Sequence, residues 1–449
     1  MGSEFFNKIT YGKEDPAAHG TVVAASKMFI GQMQAIKPDR KPIYPAEHFG
    51  LRSEAYRSVI HQYLYQNTLS TEHGAFQHLP LFLGGGLKGA ITPVEQTGGQ
   101  GDYLWDATPD TDSIDAVDSF SLRMGDDNQS WLSEYCVFER IRLSGNVAQG
   151  ADASPVKIEA DFFGRQLQES TFLEQSTTAT IVGTVSKTGN ATVTVRAAGM
   201  TGSPKAISVA VAEFDTATAV AAKIRAALNL DAAVIAMFTI GSTVGITVKL
   251  TKLVTITPDA TLNIAYTNGT CEGLAPDATS DDTSAFALTP PTLEPMNAKL
   301  ARLYLNPTWA TAGNTELSDL LRTFDIEILT GQHPQFAGSA AKTFNHHYGG
   351  IVSVMGTFGI EGGSDAADLL ADQQAGTFKV ARLKILGSQI GSGLTYTFTL
   401  DFGGTFEDVS PISGADRGDN LATFVLHGYL DTTATKVLQA SCITNSNAY

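Results

Sequence analysis

Ile351-Val352-Ser353-Val354-Met355-Gly356-Thr357-Phe358, then Ser364-Asp365-Ala366-Ala367-Asp368-Leu369-Leu370-Ala371-Asp372-Gln373-Gln374-Ala375, then Phe378-Lys379-Val380-Ala381-Arg382-Leu383-Lys384-Ile385 and Thr395-Tyr396-Thr397-Phe398-Thr399-Leu400-Asp401 form the run that decides the fold. The first, third and fourth pieces read as strands. The second reads as a helix with Ser364 as its N-cap. Ala422–Tyr429 and a last strand near Val437 complete the set. Strands gathered around one helix imply a β-sandwich with a flanking helix.

The same order of elements recurs towards the N-terminus. Val59–Tyr65 reads as a strand and Ala75–Leu83 as a helix-like run, with Gly84-Gly85-Gly86 as the turn after it. A strand pair around Tyr103–Trp105 and Ser119–Leu122 follows, and Ile141–Gly145 and Val156–Phe162 close the piece. The match is one of element order, not of residue identity. The predicted fold class is therefore mainly β: a duplicated β-sandwich or tube domain, with a flanking helix, in two halves at 1–176 and 284–449.

Between the halves the texture changes. From 177 to 283 aromatics nearly vanish and Ala, Val, Thr and Ile dominate. Alternation in Thr192–Arg196, Ala206–Val211 and Gly245–Leu250 predicts half-buried strands. Asp215–Leu228 predicts a helix, with Asp215 at its N-terminus and Val220, Ile224, Ala227 and Leu228 on one apolar stripe. This is a small inserted α+β module. Its charges nearly cancel, so the acidity of the chain belongs to the flanking body. A polar and then Pro-rich linker, Asp281–Pro295, leads back to that body.

The chain has 449 residues, of which 43% are hydrophobic and only 17% charged, with a net charge of −16. Ordinary domains carry roughly 25% charged residues. An acidic surface repels phosphates, which excludes tight DNA binding but not DNA passage. Solubility alone explains the acidity equally well. Cys136, Cys271 and Cys442 are odd in number and far apart, so buried thiols are expected rather than a disulfide framework or zinc site. No signal peptide or membrane-spanning run is read, and synthesis in the cytoplasm is expected.

Chemistry is sparse. His346 and His347 are adjacent, and neighbours on a strand point to opposite faces, so one metal does not suit both. Gly84-Gly85-Gly86 lacks the Gly-Lys-Ser/Thr of a P-loop. Asp110 with Asp112, and Asp126 with Asp127, bring carboxylates together without a calcium loop, and solvated turns are expected. No Gly-x-Ser-x-Gly elbow occurs. No catalytic, cofactor or metal residue is predicted, and the chain does not read as an enzyme. Tyr103, Trp105, Phe120, Phe162, Phe398 and Phe402 are expected in the core, with a sugar platform as the minor alternative.

Four passages, in order, carry a resemblance. They are Glu4–Lys13 closing on Tyr11-Gly12; Gly84–Gly89 followed by Gly101–Pro109; Ile141–Gly145 leading to Ile158–Arg165; and Phe424–Thr432. In these the body, about three-quarters of the chain, resembles the tail tube proteins of long-tailed bacteriophages (siphophages). The insert is similar to small modules that recur within phage tail proteins, and it departs from the plainest tube proteins. The resemblance implies a structural virion protein, made in the host bacterial cytoplasm and located in the virion tail. It implies rings stacked into a hollow tube through which double-stranded DNA is ejected, the insert facing outward. Three chains per pseudo-sixfold ring are favoured over six. Tape measure, terminator and distal tail proteins would be the neighbours, with no membrane insertion. The segments Tyr56–Gln66 and Ile351–Ile360 are the candidates to line the bore. An adhesin, or another tail part such as a sheath or decoration protein, is the competing reading.

Overall fold

The computed structural model describes residues 7–23, 25–34, 39–45, 57–125, 130–147, 154–170, 176–241, 245–252, 259, 261–275, 280–282, 290–317, 321–338, 342–361, 364–416 and 419–449. Strands make up 53% and helices 12%, so the fold is mainly β. The chain forms two compact units. One consists of Lys8–Arg123, Leu132–Gln168 and Pro290–Tyr449, the other chiefly of Glu169–Thr289.

Eight strands organise the larger unit. In chain order they are β1 (Asp39–Ile43), β2 (Val59–Thr71), β3 (Ser130–Asn146), β4 (Val156–Gly164), β5 (Leu321–Leu329), β6 (Ser353–Glu361), β7 (Thr395–Asp416) and β8 (Asp419–Gly428). All pair antiparallel, in the spatial order β1-β2-β4-β3-β5-β6-β8-β7. The stretches flanking the insert thus share one continuous sheet. They meet where β3 lies beside β5, with Thr323 opposite Asn146 and Leu329 opposite Arg140. Among the described residues the sheet does not close into a barrel.

The first four strands and the last four follow the same order. Each set also carries a β-bulge in the same place. The β4–β3 register shifts between Asp161 and Phe162, opposite Phe138-Glu139-Arg140. The β8–β7 register shifts opposite Phe406-Glu407-Asp408. A bulge sets two residues against one and twists the strand locally.

Side chains alternate across a strand, so each face has its own composition. Ile141, Leu143, Ile158, Ala160, Phe162, Ile326, Ile328, Phe358, Ile360, Phe424 and Leu426 are buried on one face. Helix α1 (Leu79–Gly86) is buried along its whole length. Its Phe82 meets Phe29 and Phe138 edge-on, at centroid distances of 5.7 and 5.2 Å. Each such ring contributes about 2–3 kcal/mol by leaving water.

The three glycines expected as a turn lie inside this helix, for a packing reason. A Cβ at Gly85 would fall 2.7 Å from Phe138 Cδ2 and 2.8 Å from Phe120 Cε2, and one at Gly86 3.0 Å from Thr330 Cγ2. The helix gives up propensity to approach the ring layer closely.

The expected pairing of Tyr103–Trp105 with Ser119–Leu122 is also corrected. Tyr103–Asp106 pairs with Leu438–Thr444, and Phe120–Gly125 pairs with Lys8–Lys13. Strand β7 serves two neighbourhoods. Its first part lies between Lys379–Gln389 and Leu438–Thr444, and from Gly404 onward it pairs with β8. The helix Ser364–Ala375 follows β6, buries Ala366 and Leu369, and donates from Gln373 Nε2 to the Glu407 carbonyl. The side chain of Ser364, expected as its cap, lies outside the described residues.

In the smaller unit, short antiparallel sheets and a helix, Ala217–Asn229, share one core. Val220, Ile224 and Leu228 are buried in it as the apolar stripe requires. The cap is Thr216, whose hydroxyl accepts from Ala219 N, and not Asp215. Asp215 is one residue too early and instead accepts from Ala212 N and pairs with Lys223.

Gly85→Ala is expected to lower stability by about 1–3 kcal/mol through overpacking, outweighing the helix propensity gained. At Gly98, where nothing lies within 4 Å of an added Cβ, alanine is expected to change stability by less than about 0.5 kcal/mol. Urea unfolding of both variants checks the contrast.

Candidate functional site

The second face of the eight-stranded sheet is polar. On β2 it carries Gln66, Thr68 and Ser70, each at least partly exposed. Charged groups gather where β4, β3 and β5 run side by side. The guanidinium of Arg142 forks onto Asp325, with Nε 2.8 Å from Oδ1 and Nη2 2.5 Å from Oδ2. Arg140 Nε lies 2.7 Å from Asp161 Oδ2, and its Nη1 lies 3.4 Å from Glu327. Glu159 sits 3.6 Å from Arg142 and 3.0 Å from Lys157, which also reaches Glu72 at 3.2 Å. Thr68 Oγ1 donates to Asp161.

The hydrogen bond to Asp325 raises the Arg142 pKa above its ordinary value, and that to Asp161 does the same for Arg140. Burial, then the Asp161 charge, raises the Glu139 carboxyl. These pairs are partly exposed, so each stabilises the fold by about 1 kcal/mol or less. Their consequence is the charge pattern they leave. On the β6–β8–β7 part of this face stand Thr357, Thr423, Val425 and Ser410, with the exposed Asp408 opposite Val425 and His427 3.5 Å from Glu407.

The sheet has two margins. Strand β1 pairs with β2 alone, and residues 405–416 of β7 pair with β8 alone, among the described residues. Apart from the Glu407 carbonyl, which accepts from Gln373, no backbone partner is seen on their outer sides among the described residues, which leaves them open to another strand.

A second polar cluster lies elsewhere in the larger unit. Glu14 is buried and accepts four hydrogen bonds, from Gly20 N, Ser119 Oγ, Ser121 Oγ and Tyr135 N. Four donors offset the cost of burying the carboxylate. His19 Nδ1 lies 2.7 Å from Ser119 Oγ. Ser119 donates to Glu14 and is fully buried. His347 Nδ1 lies 3.2 Å from Tyr135 Oη, and its ring meets that of His19 at 5.6 Å. His346 is exposed. Burial, helped by the neighbouring His19 and His346, lowers the His347 pKa to about 4.

The other singled-out residues are separate from these groups. Asp110 takes up Lys88 at 3.2 Å, and Asp112 is exposed. Asp126 and Asp127 lie outside the described residues. Trp105, Phe120, Phe162, Phe398 and Phe402 are buried, whereas Tyr103 is half-buried. Cys136, Cys271 and Cys442 are buried and unbridged. The segments named as bore candidates supply β2 and β6, second in the order of each set of four, although Tyr56 lies outside the described residues. Among the described residues no group of three or more His, Cys, Asp or Glu is arranged to hold a metal ion, and no helix is long and apolar enough to cross a membrane.

No family model matches the chain, and no curated protein matches it.

Sequence reasoning missed the charge ladder because its partners are far apart. Arg142 and Asp325 are separated by 183 positions, and only the β3–β5 register brings them together. The Glu14 cluster is equally non-local, with Ser119 105 positions away.

His78, in the turn before α1, is 2% exposed, and burial lowers its pKa to about 4. The unfolded chain takes up this proton near pH 6.5 while the native state refuses it until about 4. Stability from this group is therefore complete above pH 6.5 and falls on acidification by about 1.4 kcal/mol per pH unit. In urea unfolding between pH 7 and 5, His78→Leu is expected to flatten the acid loss by one proton's slope. An unchanged slope contradicts the assignment.

Proposed function

We propose that this chain is a structural virion protein that polymerises into stacked rings, forming the hollow tail tube through which a long-tailed phage ejects its DNA. The carrying observation is the repeated strand order with one margin filled and its counterpart open. Read as a duplication, β1-β2-β4-β3 and β5-β6-β8-β7 are equivalent sets, each with a bulge after its Phe-Glu pair. The outer edge of β3 is then equivalent to that of β7. Within the chain β5 covers the β3 edge. The equivalent of β5 is β1, so the β1 of a second copy is the natural partner for 405–416. Repetition of this join makes every strand internal.

Magnitudes favour three chains. With eight strands each, three chains supply twenty-four, and at about 4.8 Å spacing and roughly 40° tilt these enclose a backbone circle about 48 Å across. Side chains reaching about 5 Å inward leave a bore of about 38 Å, wide enough for a DNA duplex. Six chains would give about 96 Å, far wider than the task needs. The polar face then lines the bore, and the apolar face looks away into the protein. No step of chemistry is required; the work is geometry and a wall that does not hold DNA. Tape measure, terminator and distal tail proteins are the neighbours this role implies.

Negative-stain imaging of the purified protein at high concentration tests the role. Hollow, evenly striated filaments are expected, with about 143 kDa per ring from three chains of 47.6 kDa. A monomer that never forms rings overturns it. Growth only around a separate inner tube points to a sheath, and glycan binding by a discrete trimer points to an adhesin.

A further inference from the structure

The charge ladder of β4, β3 and β5 carries a second inference. Arg140 and Arg142 stand two apart on β3, and so on one face, where a guanidinium fork suits phosphate as well as carboxylate. Both are occupied. Asp325 takes Arg142 through two oxygens, and Asp161 and Glu327 bracket Arg140. Lys157 lies between Glu159 and Glu72. The network therefore holds three cations (Arg140, Arg142, Lys157) and five anions (Glu72, Glu159, Asp161, Asp325, Glu327), a net of −2.

We infer that Asp161, Asp325 and Glu327 determine how this face treats polyanions, by engaging Arg140 and Arg142 so that no guanidinium is free for a phosphate backbone. A wall without arginines would be simpler, but these arginines also cross-link three adjacent strands through their carboxylates. The carboxylates let the seam keep those links without becoming a DNA-binding stripe. With the three acids neutralised the same network carries +1, and of the carboxylates that engage the two guanidinium groups only Glu159, 3.6 Å from Arg142, remains charged.

The purpose of this arrangement rests on the tube reading; its test does not. Full-length chain is titrated against a labelled duplex of about 20 base pairs at about 50 and about 200 mM salt. Wild type is expected not to bind. D161N/D325N/E327Q is expected to bind, weakening about tenfold across that salt range, as the release of two counterions gives. Adding R140Q/R142Q should abolish the gain. The charge control is D112N/E213Q/D368N, three exposed acids elsewhere, with the same change in net charge. No gain in a folded ladder variant overturns the inference. So does an equal gain in the control, or binding that survives loss of both arginines. If the triple variant does not fold, the single D325N is read by the same criteria, with R142Q as its reversal. Filament imaging of the wild type reports separately on the tube, so binding gained without filaments would sink that reading and leave this one.

Discussion

A strand at the margin of a sheet presents a row of backbone donors and acceptors, and each must find a partner or stay in water. The larger unit is arranged around that constraint. Where its two sets of four strands meet, β5 covers the edge that β3 would otherwise leave open, in continuous register from Asn146 to Arg140. The remaining margins belong to β1 and to the second half of β7. In the function proposed here the seam inside the chain is the template for the seam between chains. One geometric rule then accounts for both the continuity of the sheet and its failure to close within one copy.

The two faces of the sheet divide the labour. The apolar face anchors a ring layer in which Phe82, Phe120, Phe138 and Phe162 are inaccessible to water. The close packing of α1 on that layer forces glycine at positions where alanine would be the better helix former. The polar face holds its charge in compensated pairs. Partly exposed ion pairs add little stability, and the sheet does not need them for that, since backbone pairing and the buried rings already hold it. In the function proposed here, what the pairs set is the potential that DNA would meet. Strand β7 links the layers, because one strand serves the sheet through its second part and the Lys379–Gln389 and Leu438–Thr444 neighbourhood through its first.

Much of the fold was legible from local pattern. The strands of 351–358, 378–385, 395–401 and 422–429 were readable because β-branched and aromatic residues recur there, and the insert's helix because Val220, Ile224 and Leu228 share a stripe. Errors arose where a distant contact overrode a local preference. Gly84–Gly86 resembles a turn until Phe138, Phe120 and Thr330 are seen to exclude a Cβ. Tyr103–Asp106 looked like the partner of the next strand in sequence, but Leu438–Thr444, more than three hundred positions on, takes that side. Of the polar face almost nothing was readable. Arg140, Arg142, Asp325 and Glu327 are unremarkable singly and become a network only through register. The bulges opposite Phe138-Glu139 and Phe406-Glu407 are likewise invisible until the strands are paired.

Amide hydrogen exchange at 39–43 and 405–410, compared between dilute monomer and concentrated protein, addresses the margins most directly. Only the amides that point away from β2 and β8 report on the margins; for these the account predicts fast exchange in the monomer and strong protection at both segments, together, on assembly. Outward amides that stay fast in assembled protein, or that are already protected in the monomer, would contradict pairing of these edges between copies.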